Sequence, residues 1–144
     1  MGEAIATEAG KLNVRYVMHT PTMHRPAMQT TEENVRLAMK AALENTEKLK
    51  VKNVTFPGLG TGVGGIDIKA AANHMLQELK THINAGTSLQ SVVCVGFSEK
   101  SAETFRNALK TFMVEQSFSG SSQIYRRRYS RKYPIIRQIY ITLL

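Results

Sequence analysis

The sequence predicts an α/β fold in which helices cover a mixed, largely parallel sheet. Strand-like and helix-like segments alternate along the chain from residue 30 onward, which is typical of parallel strand–helix–strand units. Ser91–Phe97 forms a nearly continuous apolar run, as expected of a central strand that is buried on both faces. A glycine-rich segment, Gly58–Gly65, follows another strand-like run. Ligands of such folds bind beyond the carboxyl ends of the strands, where this segment is expected.

The N-terminal part of the chain predicts two short strands and a loop. Glu3–Thr7 and Val14–Thr20 carry many strand-forming residues, and a turn region around Gly10 separates them. Pro21 and Pro26 then bracket a loop, because neither residue can donate a hydrogen bond to a strand ladder. The first strands are therefore expected to lie next to each other along the chain.

Three helices are predicted from capping residues and apolar spacing. Thr30 followed by Glu33 has the capping-box pattern of a helix start. The inner face of this helix is expected at helical spacing: Val35, Ala38, Met39, Ala42, Leu43 and Leu49. A strand over Val51–Phe56 follows. Asp67 and Ser98 are good caps for a second and a third helix.

Length, cysteine content and hydropathy limit the classes of protein to which the chain can belong. The 144 residues fit one domain with a hydrophobic core. The single cysteine, Cys94, excludes an internal disulfide, and its apolar neighbours predict a buried side chain without catalytic reactivity. No apolar run is long enough to span a membrane, and the first residues lack the features of a signal peptide. We therefore expect no membrane partner and a cytoplasmic location.

The net charge of +8 is concentrated near the C-terminus. From Ser117 onward there are six basic residues and no acidic ones, which leaves 13 basic against 11 acidic residues in the rest. We therefore predict a domain over residues 1–116 and a basic tail over residues 117–144. Cations interleaved with tyrosines are typical of RNA-binding segments, and the candidate residues are Arg126, Arg127, Arg128, Arg131 and Lys132. A solvated extension without a selected role is the alternative.

The glycine-rich segment has the composition of a diphosphate-binding loop. A diphosphate needs several backbone N–H groups directed at it and a backbone that can approach closely, and glycine allows both. The helix that follows would add a favourable dipole. The candidate ligand-binding residues are Gly58, Leu59, Gly60, Thr61, Gly62, Val63, Gly64 and Gly65. A turn that merely lets helix and strand pack closely is the alternative. The spacing matches neither a Walker loop nor the dinucleotide fingerprint.

Several segments resemble the macro domain family, in consistent order over residues 1–115. Phe56–Gly65 resembles the family's second phosphate-binding loop at nearly every position, and Asp67–Leu79 resembles the helix that follows it. Residues 2–12 and 16–21 resemble the preceding strands. The resemblance implies a three-layer α/β/α fold and binding of ADP-ribose or a related nucleotide, with no further cofactor. It also implies possible hydrolysis of ADP-ribosyl or phosphate ester linkages.

The resemblance also assigns a place for the adenine and identifies missing parts. Phe97 follows the last predicted strand, where the family often has an aromatic ring that stacks on adenine; a buried core aromatic is the alternative. The family's N-terminal strands, asparagine-containing segment and first glycine-rich loop are not recognisable here. We therefore expect an incomplete macro domain that binds ADP-ribose weakly or not at all, and we name no catalytic residue.

Two other functional interpretations stay open. The chain could be a nucleic-acid-binding protein that uses its tail, or a fragment that requires a partner to supply the missing strands and self-associates through exposed sheet edges. A metal site is not expected, because His19 and His24 lack flanking ligands and His19 is better interpreted as a buried, hydrogen-bonded strand residue. His74 and His82 are expected on the surface.

Overall fold

The computed structural model describes residues 1–114 and 138–143 of the chain. Strands and helices alternate after an N-terminal hairpin, as the sequence predicts. The elements are β1 (Ile5–Glu8), β2 (Tyr16–His19), α1 (Glu32–Lys48), β3 (Asn53–Pro57), α2 (Ile68–Ala85), β4 (Ser91–Gly96), α3 (Glu99–Val114) and β5 (Gln138–Leu143).

The described strands form two separate sheets. β1 and β2 pair antiparallel, with Ile5 opposite His19. β3, β4 and β5 form a parallel sheet in that order, with Phe56 opposite Cys94 and Cys94 opposite Ile141. β4 is therefore the central strand, and its fully buried Val92 and Cys94 side chains confirm the prediction from its apolar run.

β5 comes from the C-terminal segment. Its six residues pair in register with all six residues of β4, from Ser91 opposite Gln138 to Gly96 opposite Leu143. The end of the segment that the sequence assigns to a basic tail thus adds a third strand to the parallel sheet. The five candidate RNA-binding residues between 126 and 132 lie outside the described residues, so that interpretation stays a prediction.

The cap of α1 lies one residue later than the sequence predicts. Thr31 has an extended backbone, and its hydroxyl accepts a hydrogen bond from the Asn34 N–H at 3.2 Å. The predicted capping box of Thr30 and Glu33 is wrong, because Thr30 uses its backbone N–H and its hydroxyl elsewhere. Glu33 instead pairs with Arg36, whose guanidinium lowers the pKa of the Glu33 carboxyl through a hydrogen bond.

The predicted caps of the other two helices are confirmed. The Asp67 carboxylate accepts hydrogen bonds from the N–H groups of Lys69 and Ala70 at 3.0 and 3.3 Å. The Ser98 hydroxyl accepts one from the Ser101 N–H at 3.1 Å. Local hydrogen bonding by these short side chains therefore determines where α2 and α3 begin.

One hydrophobic core joins α1, α2, α3 and the parallel sheet. Its largest fully buried side chains include Met39, Leu43, Met75, Leu79 and Phe105. A partly buried ion pair between Arg36 and Glu78, 2.8 Å long, also connects α1 to α2. Among the described helices, none combines the length and apolarity that a bilayer crossing needs.

Glu47 connects the end of α1 to the loop that leads into β4. Its carboxylate accepts hydrogen bonds from the His82 ring at 3.0 Å, from the Thr87 hydroxyl, and from the Ser88 hydroxyl at 2.7 Å and N–H at 3.1 Å. Burial by itself raises the pKa of this carboxyl, but these hydrogen bonds outweigh burial and lower the pKa to about 2. The ionised carboxylate therefore stabilises the fold.

Replacing Glu47 tests this contribution. Glu47→Gln is expected to lower the free energy of unfolding by about 2 kcal/mol at pH 7, because hydrogen bonds to a charged acceptor are lost. In the parent chain the contribution is complete above about pH 4.5, the ordinary value, and is lost as the pH falls towards 2. Urea unfolding at several pH values measures both effects.

Glu44→Gln is the matched control for this measurement. Glu44 lies on the same helix and is exposed, so its replacement should leave stability unchanged. Equal stability of the two variants at pH 7 would contradict the assigned role of Glu47.

Candidate functional site

The glycine-rich loop and Phe97 lie at the same edge of the parallel sheet. Pro57, the last residue of β3, is opposite Val95, and β4 ends one residue later at Gly96. The loop that begins at Gly58 and the segment that begins at Phe97 therefore leave neighbouring strands at their carboxyl ends. This arrangement confirms the expectation from the predicted parallel order.

Internal hydrogen bonds fold the loop into a compact turn. The Gly65 N–H donates to the Gly62 carbonyl and the Ile66 N–H to the Gly60 carbonyl, each at 3.0 Å. The Thr61 hydroxyl donates to the Gly58 carbonyl at 2.9 Å, so it is committed within the loop. The diphosphate interpretation therefore loses the Gly65 donor, and the Ile66 N–H next to the loop is engaged as well.

The remaining loop N–H groups differ from those of Gly65 and Ile66. Between Leu59 and Gly64, no backbone N–H donates to any acceptor within the described part of the chain. Gly64 is buried, and a buried N–H group without a partner is costly. A run of such donors at the carboxyl edge of a sheet suits an anion with several oxygen atoms.

Packing requires glycine at two loop positions. Gly60 has a positive φ of 73°, and a Cβ there would lie 2.7 Å from the Val35 Cγ2 atom of α1. A Cβ on Gly64 would lie 2.6 Å from the Gly60 carbonyl oxygen. The alternative interpretation, a turn that allows close packing, is therefore sufficient to explain why these two residues are glycines.

Packing does not explain the glycine at position 62. A Cβ on Gly62 would meet no atom within 4 Å, and its backbone is not in the left-handed region. A Cβ at this position would therefore meet no steric obstacle in the described part of the chain. Glycine here keeps the surface of the loop open, which favours close approach by a ligand.

Thr30 holds the loop in place, although no sequence motif signals this role. Its N–H donates to the Gly64 carbonyl at 2.9 Å, and its hydroxyl donates to the Thr22 carbonyl. A Cβ on Gly64 would lie 2.8 Å from the Thr30 Cγ2 methyl, and a Cβ on Gly60 would lie 3.1 Å from it. Because Thr30 is far from the loop in sequence, local patterns did not indicate this contact and predicted a helix cap at Thr30.

The amino end of α2 contributes less to the site than the sequence predicts. The Asp67 carboxylate accepts hydrogen bonds from the N–H groups of Lys69 and Ala70, which would otherwise face an incoming anion. This carboxylate also offsets the positive end of the helix dipole. The donors available to a diphosphate are therefore those of the loop itself.

Phe97 is exposed at the edge of the sheet. Its relative exposure is 69%, so the interpretation as a buried core aromatic is wrong. Gly96 before it lies against α3, because a Cβ there would be 2.3 Å from the Ala102 nitrogen. β4 ends at Gly96, and the exposed ring of Phe97 directly after it is available to a planar ligand.

Three histidines and the cysteine make contacts within the fold that do not indicate a metal or catalytic site. His19 bonds the Thr7 hydroxyl at 3.1 Å but is exposed, so the prediction of a buried histidine is wrong. His74 and His82 are partly buried and pair with Glu32 and Glu47. Cys94 is buried as predicted, and burial raises the pKa of its thiol to about 12.

Comparison with known families decides the classification. The family model described as Macro domain matches residues 1–75 of the chain. The chain belongs to the macro domain family. A relative described as an uncharacterized protein of Aquifex aeolicus is 41% identical over 109 residues, which are 76% of this chain and 65% of that protein.

Solved structures of macro domains have the same fold. A macrodomain of Oceanobacillus iheyensis with MES bound is 27% identical and gives a TM-score of 0.67, over 81% of this chain and 61% of that one. A mutant of that macrodomain with ADPR is 29% identical, with a TM-score of 0.65 over 77% and 60% of the two chains. The chain thus spans less than two thirds of the length of these relatives.

Two glycine replacements in the loop should have very different effects on stability. Gly60→Ala should lower the free energy of unfolding by about 3 kcal/mol, because the Cβ combines a strained backbone with an overlap against Val35. Gly62→Ala should change it by less than about 1 kcal/mol. Thermal unfolding followed by circular dichroism measures both. A Gly60→Ala chain as stable as the parent would contradict the observed packing.

Proposed function

We propose that this macro domain binds ADP-ribose or a related nucleotide, with the diphosphate on the N–H groups of Leu59–Gly64. The proposal depends on one observation: successive backbone N–H groups in this segment have no acceptor within the described chain. Gly62 lies among them, and packing does not explain why this residue is glycine. Structures of the Oceanobacillus macrodomain with ADPR and with ADP support the same class of ligand.

Recognition of the diphosphate would rest on backbone donors. No lysine or arginine lies between Gly58 and Gly65, so the loop itself supplies no cationic side chain. Hydrogen bonds from several fixed N–H groups distribute the ligand charge and require a defined geometry of the oxygen atoms. Such a site favours linked phosphates over a single diffuse anion.

The adenine would stack on Phe97. This ring is exposed and follows β4, the strand next to the one that leads into the loop. Stacking of a base on an aromatic side chain contributes about 1–3 kcal/mol. The two contacts together would place a nucleoside diphosphate along the carboxyl edge of the sheet.

We propose that the described residues bind the nucleotide and do not hydrolyse it. Three polar side chains next to the loop make hydrogen bonds within the fold, since Thr61 donates to Gly58, Thr30 donates to Thr22 and Asp67 caps α2. Hydrolysis needs a group that positions or activates water, and the hydrogen bonds of these three side chains give each of them a structural role. Since the chain matches about 60% of the Oceanobacillus macrodomain, we expect affinity weaker than micromolar for this chain alone.

Titration of the full chain with ADP-ribose tests the proposed site. In ¹H–¹⁵N NMR spectra, the amide signals of Gly60–Gly64 are expected to shift progressively, whereas those of Gly10 and Gly86 should not. Isothermal titration calorimetry is expected to give a dissociation constant weaker than micromolar. Unshifted loop amides at saturating ligand would contradict the site, and micromolar affinity would contradict the expected weakness.

A charge at the tip of the loop should weaken binding. Val63 is 68% exposed, so Val63→Asp places a carboxylate near the diphosphate without disturbing the core. We expect about fivefold weaker binding of ADP-ribose, which corresponds to repulsion of about 1 kcal/mol. Val63→Asn has nearly the same shape without the charge and should bind like the parent. Equal affinities of the two variants would place the diphosphate elsewhere.

Loss of the aromatic ring should affect the adenine alone. Phe97→Ala is expected to weaken binding of ADP-ribose about tenfold through lost stacking and to leave affinity for inorganic pyrophosphate unchanged. Thermal stability should change little, because the ring is exposed. Equal losses for both ligands would show that the ring does not contact the base.

A further inference from the structure

The segment from Thr22 to Thr30 is closed on itself beside the glycine-rich loop. The Thr30 hydroxyl donates to the Thr22 carbonyl, so the two ends of the segment lie together. The Thr30 N–H donates to the Gly64 carbonyl at 2.9 Å, and this bond joins the closed ends to the glycine-rich loop. The residues between Thr22 and Thr30 therefore begin and end next to the proposed diphosphate site.

A tight turn fixes the backbone in the middle of this segment. The Met28 N–H donates to the Arg25 carbonyl at 3.4 Å, and Ala27 between them has a positive φ of 63°. Proline at the second position, here Pro26, and a positive φ at the third are the features of a type II turn. Alanine is disfavoured in the left-handed region, and such a conformation persists only where the surroundings determine it. The turn therefore presents Arg25 on a defined backbone.

Arg25 is the first residue of this turn and lies close to the anchor at Thr22. It is exposed, and its guanidinium forms no hydrogen bond and no ion pair within the described residues. Three residues of backbone span at most about 11 Å, which limits the distance between Arg25 and Thr22. A cationic side chain without a partner in the described chain thus belongs to the segment that contacts the glycine-rich loop.

The glycine-rich loop itself does not supply positive charge for an anionic ligand. It contains no lysine or arginine, and the Asp67 carboxylate follows it. Lys69 is the next cation along the chain, but its own N–H donates to the Asp67 carboxylate at 3.0 Å. A negative charge beside the Lys69 backbone offsets the positive charge of its side chain. Arg25 has no such neighbour among the ion pairs of the described residues.

We propose that Arg25 is a ligand-binding residue of the nucleotide site and that its guanidinium binds the diphosphate. This inference rests on the proposed function, because the diphosphate is the one held by the N–H groups of Leu59–Gly64. A guanidinium presents parallel N–H donors that match two phosphate oxygen atoms at once. The glycine-rich loop fixes the geometry of the diphosphate, and Arg25 supplies the charge that the loop lacks.

This role is distinct from that of Phe97. Because Arg25 contacts the phosphates and not the base, its replacement should weaken ADP-ribose and inorganic pyrophosphate by the same factor. Phe97→Ala is expected to weaken ADP-ribose alone. Comparison of the two ligands therefore separates the phosphate contact from the adenine contact.

Three variants that each remove one positive charge test the inference in the full chain. Arg25→Gln is expected to weaken binding of both ligands about fivefold at low salt, as loss of one exposed charge pair would. Lys69→Gln should have a smaller effect. Lys48→Gln is the remote control and should have none, because Lys48 lies in the last turn of α1, a helix about 25 Å long that begins beside Thr30. NMR titration measures all the affinities.

The salt dependence and a conservative variant distinguish a contact with the ligand from a structural role. The difference between Arg25→Gln and the parent should shrink to less than about twofold in about 500 mM NaCl, because salt screens exposed charges. Arg25→Lys retains the charge and should bind within about twofold of the parent. The Nε–H signal of Arg25, which is missing from the spectrum of Arg25→Gln, should shift on titration of the parent with pyrophosphate.

The outcomes separate this inference from the proposed function. Equal affinities of Arg25→Gln and Lys48→Gln, or a larger effect of Lys69→Gln, would overturn the role of Arg25 while shifted amides of Gly60–Gly64 still support the proposed function. A loss that salt does not reduce and that Arg25→Lys does not recover would also overturn it, since a structural effect would then be responsible. Unshifted loop amides in the parent would overturn both.

Discussion

The contact of Thr30 with the glycine-rich loop is the constraint on which the candidate site depends. One backbone hydrogen bond, from the Thr30 N–H to the Gly64 carbonyl, connects the segment before α1 to the segment before α2. The Thr30 methyl and Val35 fill the space that a Cβ on Gly60 or Gly64 would need. The loop therefore lies against α1. Its N–H groups from Leu59 to Gly64 have no acceptor within the residues that the structure describes.

This constraint separates two roles that glycine performs within a few residues. Gly60 and Gly64 allow the loop to pack, whereas Gly62 leaves its outer surface open. A glycine-rich turn between a strand and a helix is common in proteins, so glycine content by itself does not distinguish packing from ligand binding. The surroundings of each position make the distinction, and they favour a loop that both packs closely and offers donors.

One core joins the described helices to the parallel sheet. The buried side chains of α1, α2 and α3 close over β3 and β4, and β5 covers the far edge of β4. The hairpin has a weaker attachment, which includes partly buried Met18 and a hydrogen bond of 3.3 Å from Asn45 to the Ala4 carbonyl. Within the described residues the two sheets stay separate, and a cleft lined by β2 and β3 lies between them.

The sequence by itself determined the α/β class, the order of the elements, the caps at Asp67 and Ser98, and the buried Cys94. These features depend on local hydrogen bonding and on apolar periodicity, which neighbouring residues specify. Tertiary structure decided the cap at Thr31, the exposure of Phe97 and His19, and the use of Thr61 within the loop. It also decided the separation of the two sheets. The separation of the sheets and the contacts of Thr30, which leave the cap to Thr31, involve residues distant in sequence, which local patterns do not encode. The Thr61 bond to Gly58 is local, but it depends on the turn that the loop adopts.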